Sequence, residues 1–200
     1  MLEDRIPVRV TEPERLVPPG VPHRRGLAWK RVRDYSTYLA AAAATLLLAV
    51  AIWLSAHVDP GPRWHEIALF AHLASLVLGL GAVLVADYFF ALWLFRRVTF
   101  AEAVQSTSRL HLLVWSGLTG LVASGVLLQP DLRSPATLLK LGFVLGLTVN
   151  GVHTAVLGRR MATVEGTPGI RLLVRGGVAT AISQICWWGA VLIGFLNATR

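Results

Sequence analysis

Long apolar runs alternate with short polar interruptions along this chain, and the lengths of the runs predict its architecture. Apolar stretches cover about Tyr38 to Ala56, Ile67 to Phe95, Leu110 to Leu128, Ala136 to Leu157 and Gly176 to Leu196. A helix rises about 1.5 Å per residue, so about twenty apolar residues match a hydrocarbon core roughly 30 Å thick. The pattern therefore predicts five transmembrane helices over 38–56, 67–95, 110–128, 136–157 and 176–196. The expected fold is all-α: an integral membrane bundle, four helices around a polar core and one peripheral.

The interruptions carry their own signals. Arg96-Arg97 stops the second run, and its excess length predicts tilt or an extension beyond the bilayer. Thr99-Phe-Ala-Glu102 has capping-box spacing, which predicts a short helix leading into the third span. Gln129-Pro130-Asp131 ends the third run, Ser134-Pro135 opens the fourth, and residues 165–169 (Glu-Gly-Thr-Pro-Gly) read as a flexible turn. Residues 1–35 form a basic tail with five prolines between Pro7 and Pro22, too dense for a continuous helix. The tail reads as disordered chain or as a strap on a partner subunit. The five-helix domain then occupies residues 36–200.

Composition supports the membrane reading, since 54% of residues are hydrophobic and 15% charged, too few charges to cover a soluble domain of 200 residues. The net charge of +8 changes the picture only through its distribution. Fifteen lysines and arginines lie in the N-terminal tail and in the segments joining spans two to three and four to five. Only Arg63, Arg133 and Arg200 lie on the opposite side. Such asymmetry sets topology, so the N-terminus is expected in the cytoplasm and the C-terminus outside, and nucleic-acid binding is not expected. Arginine in preference to lysine and Ala- and Leu-rich helices suit a bacterial cytoplasmic (inner) membrane. Over thirty polar residues precede the first apolar run, which argues against a cleavable signal peptide. Cys186 is the only cysteine, so neither an intrachain disulfide nor a cysteine metal cluster can form.

The candidate chemistry lies in ionisable residues within the apolar runs: His72, Asp87, His111, Lys140 and His153. Each costs about 2.5–3.5 kcal/mol to insert, so such groups usually face a cofactor, a cavity or a partner. Depth along alternating spans places His72 and Lys140 in one layer near the outer face. His111 and His153 fall in a second layer near the inner face, with Asp87 a little deeper. Neutral imidazole is a common axial ligand for haem iron. One reading has His111 and His153 ligating a haem between spans three and four. In another, His72 holds the haem while Lys140 pairs with a propionate or donates a proton. The plainer alternatives stand beside these: His111 in the headgroup zone, His153 bonded to a neighbouring helix, Lys140 snorkelling to the interface and Asp87 paired with an arginine at the rim. His23, His57 and His65 belong to polar segments and are expected to be solvated. Small residues recur at Ala71, Ser75 and Gly79, at Ser116, Gly120 and Ser124, and at Gly142 and Gly146; such stripes are ordinary helix-packing surfaces.

From about residue 66 to 158 the chain resembles the HemJ- and CopD-like family of small polytopic membrane proteins. The resemblance rests on Ala71-His72-Leu73, Arg109-Leu110, Ser124-Gly125-Val126, Leu139-Lys140-Leu141 and a histidine thirteen residues later, His153. It implies binding of b-type haem, and in the HemJ branch protoporphyrinogen oxidation, with His72 and Lys140 in the positions of the functional histidine and lysine. Copper transport is not expected, because the only methionines are Met1 and Met161, neither on the outer face. Three functions follow as expectations. The first is haem b electron transfer with quinone or a larger membrane redox complex, and the second a protoporphyrinogen-oxidising enzyme. The third is a cofactor-free accessory subunit held by its tail and a Trp187-Trp188 face.

Overall fold

The computed structural model describes residues 24–164 and 168–198, so residues 1–23 of the proline-rich tail, residues 165–167 of the 165–169 turn and residues 199–200 lie outside it. The described residues form five helices without a strand: α1 (Arg24–Ser55), α2 (Gly61–Leu94), α3 (Phe100–Leu127), α4 (Pro135–Met161) and α5 (Ile170–Ala198). All five contain windows long and apolar enough to cross a membrane, and each window buries only 11–22% of its residues inside the protein. Large apolar side chains such as Phe70, Val77, Leu112 and Phe195 point outward instead. An inside-out surface of this kind is stable only against hydrocarbon, which makes this a multi-pass membrane protein.

The helix ends follow local chemistry. α1 starts two residues after Pro22, so the last part of the stretch read as tail is helical once the prolines stop. α2 begins after Pro60 with Gly61 at φ +67° and Pro62 in the first turn. At its other end, the Arg97 amide donates to the Leu92 carbonyl (2.8 Å) and the Arg96 amide to Trp93 (2.9 Å). That is a Schellman closure, and it places Arg96 at φ +58°, a position glycine usually fills. The capping box is present: Thr99 Oγ1 accepts from the Glu102 amide (3.2 Å) while the Glu102 carboxylate accepts from the Thr99 amide (2.7 Å). What it caps differs from expectation. α3 runs without a break from Phe100 to Leu127, since no proline or glycine pair separates a short helix from the span. α4 starts with Pro135 in its first turn and ends on Arg159 and Arg160, cations beside the negative end of the helix dipole.

Two helical hairpins, α2–α3 and α4–α5, pack side by side, and α1 lies on the outside of α3 and α4. Within the first hairpin the backbones nearly touch. A Cβ on Gly117 would sit 2.5 Å from the Gly79 amide nitrogen and 2.8 Å from the Ser75 carbonyl oxygen. The sequence stripe named Ser75, Gly79 and Gly120 correctly but chose Ser116, which is exposed; its neighbour Gly117 makes the contact. Gly146 faces Cys186 Sγ of α5, whereas a Cβ on Gly142 would meet nothing within 4 Å.

The bundle centre is apolar, not polar as expected. Val83, Leu118, Leu147, Cys186 and Trp187 form its middle, and Phe100, Val104, Leu157, Met161 and Ala179 fill the end that carries the α2–α3 and α4–α5 turns. Charged groups cannot occupy that interior without partners, so the ionisable residues are displaced to the seams and ends of the bundle.

Candidate site at the His72–Lys140 end

His72 projects from α2 toward α3, half-buried, with Nδ1 2.9 Å from Ser124 Oγ. Ser124 is buried, and its hydroxyl donates to the Gly120 carbonyl one turn back at 2.5 Å. A hydroxyl has a single proton. With that proton on Gly120, Ser124 can only accept from the imidazole, so Nδ1 carries the ring hydrogen and Nε2 keeps its lone pair. The ring stands over a glycine: a Cβ on Gly125 would lie 3.8 Å from His72 Cε1.

Lys140 comes from α4 and reaches α5, where its Nζ lies 3.7 Å from the place a Cβ on Gly194 would take. No carboxylate lies against it among the described residues. His72 and Lys140 are within electrostatic reach of each other, across the seam between the hairpins. The pair that depth along the spans placed in one layer thus lies at electrostatic range, each side chain packed within its own hairpin. Ser124, read in the sequence as a packing residue, proves to orient the histidine; its spacing of four from Gly120 was the available signal.

His111 and His153 do not converge on a common point. A Cβ on Gly151 would meet the Trp115 ring of α3 at 3.0 Å, which identifies the α3-facing side of α4. His153 lies two residues on, about 200° around the helix from that side at 100° per residue, and is exposed. His111 is half-buried one turn from Trp115, on the α4-facing side of α3. Asp87 has a partner other than an arginine: Gln184 Nε2 of α5 donates to its Oδ2, and Trp188 Nε1 donates to Gln184 Oε1 at 3.0 Å. Sequence reasoning missed this chain because Gln184 gives no apolar-run signal of its own. Nor do the adjacent tryptophans share an outward face, since Trp187 is buried and Trp188 exposed.

Among the described residues no three His, Cys, Asp or Glu side chains gather as a site for a bare metal ion. A haem iron asks less of a protein, because the porphyrin supplies four ligands and one imidazole completes a site. The residues at this end fit that demand. His72 offers a bare Nε2 with its second nitrogen held, the usual condition of a metal-bound histidine. Lys140 supplies an ammonium suited to a propionate, and a glycine packs against each residue, Gly125 on His72 and Gly194 on Lys140. Comparison of the chain with family models, curated proteins and solved structures finds no match to any of them.

Proposed function

We propose that this chain is a b-type haem protein of an electron-transfer system, with the haem between the two hairpins at the His72–Lys140 end. The observation that carries the reading is the hydrogen-bonded series His72–Ser124–Gly120, which leaves Nε2 as the free electron pair of the ring. In that reading His72 is the axial ligand, Ser124 holds the ring, and Lys140 pairs with a propionate. Bound haem supplies one-electron chemistry, and quinol, dissolved in the bilayer, is the donor class within reach of such a site. The charge asymmetry along the chain supports an orientation with the arginine-bearing turns and the N-terminus in the cytoplasm of a bacterium, and the C-terminus outside.

The test is a reduced-minus-oxidised spectrum of the detergent-purified protein, with a pyridine haemochrome assay. A b-type signal at roughly one haem per chain is expected, lost in His72→Ala and retained in His153→Ala. Lys140→Met should keep the haem and change its midpoint potential. Absence of haem after expression with ample haem supply, or an unaltered spectrum in His72→Ala, overturns the assignment.

A further inference from the structure

The end opposite His72 carries a second built feature. Between α2 and α3, Trp93, Arg96, Arg97, Val98, Thr99, Phe100 and Glu102 line a cleft of about 310 Å³. Its apolar wall is the edge-on pair Trp93 and Phe100, ring centroids 5.2 Å apart. Immediately before it, Leu94 and Phe95 are 72% and 73% exposed, so this turn stands where the lipid-facing surface of α2 ends. Arg96 and Arg97 are exposed there.

We propose that the Arg96–Arg97 turn binds the phosphate of an anionic phospholipid, whose acyl chains lie along Leu94 and Phe95. Arg96, Arg97 and Glu102 all line the cleft, and the one carboxylate is engaged: Glu102 accepts from both the amide and the hydroxyl of Thr99, at 2.7 and 2.8 Å. The N-cap is thereby satisfied internally, and the two arginines leave the cleft with an excess of positive charge over its single carboxylate. Guanidinium groups bind phosphate oxygens through paired donors, and indole beside them is the aromatic that settles at headgroup depth. The α4–α5 turn, at the same end, adds Arg159, Arg160, Arg171 and Arg175, all exposed, which raises the local attraction for an anionic leaflet.

The backbone supplies a clean test. Arg96 sits at φ +58°, where glycine is less strained, so Arg96→Gly removes the cation without endangering the fold. The readout is the thermal midpoint of the full chain in detergent, with phosphatidylglycerol, phosphatidylcholine or inorganic phosphate added. Phosphatidylglycerol should raise the midpoint of the wild type above that in phosphatidylcholine, and phosphate alone should not. In the double variant Arg96→Gly/Arg97→Gln more than half of that increment should disappear, while Arg159→Gln/Arg160→Gln retains most of it. An undiminished increment in the first variant, an equal loss in the second, an equal response to phosphatidylcholine or full mimicry by inorganic phosphate each overturns the site. None of these outcomes depends on haem.

Discussion

Where α2 meets α3, the closest approach is backbone against backbone, with Gly79 and the Ser75 carbonyl on Gly117, and beside it only the small Ser75 side chain lies on Gly120. Where the two hairpins meet, large and polar side chains fill the gap: Trp187 lies against Gly79, Trp115 against Gly151, and Gln184 reaches Asp87. Lipid tails are as apolar as leucine, so helices in a membrane gain little from apolar burial alone and associate through close van der Waals packing and interhelical hydrogen bonds. The α2–α3 seam rests chiefly on the first and adds the His72–Ser124 hydrogen bond, while the seam between hairpins combines tryptophan packing with the Gln184–Asp87 bond. The glycine seam makes a rigid hairpin. The seam between hairpins admits large side chains, and His72 on one hairpin lies within electrostatic reach of Lys140 on the other.

The contrast can be broken most severely at Trp187, the buried side chain that joins the hairpins. Trp187→Ala should cost about 3–5 kcal/mol, measured as unfolding monitored in detergent, because the cavity cannot collapse between two rigid hairpins. A loss below 1 kcal/mol would mean that the hairpins do not depend on each other.

Next comes the glycine seam. Gly117→Ala should cost about 1–3 kcal/mol, since the atoms in the way are backbone and cannot rotate aside. Gly142→Ala, whose Cβ meets nothing, should be neutral or stabilising by up to about 1 kcal/mol through helix propensity. Equal effects at the two glycines would refute the close-contact account.

The smallest effect belongs to the polar bridge. Gln184→Leu should cost about 1–2 kcal/mol by leaving Asp87 without its donor, whereas Asp87→Asn, which keeps an acceptor for Gln184, should change stability little. If both variants lose stability equally, the charge of Asp87 and not the hydrogen bond is what the seam requires.

Much of the fold is legible in the order of residues. Five helices, their boundaries near Arg96-Arg97, Gln129-Pro130 and Ser134-Pro135, the Thr99–Glu102 capping box and the packing role of Ser75, Gly79 and Gly120 all come from patterns local in sequence. Hydrocarbon thickness and capping chemistry act over a few residues or one span, so a linear reading captures them. The same reading placed His72 and Lys140 at one depth, because depth too follows from counting residues along alternating spans.

Which way a side chain faces was settled only by the tertiary structure. Gly117 and not Ser116 touches α2, Asp87 meets Gln184 and not an arginine, Trp187 turns inward while Trp188 turns out, and His153 points away from α3. Apolar residues surround these helices on all sides, so no amphipathic stripe marks the inner face in the sequence. The facing direction is fixed instead by how closely two backbones can approach. That is a property of pairs of helices, and it exists only once they are packed.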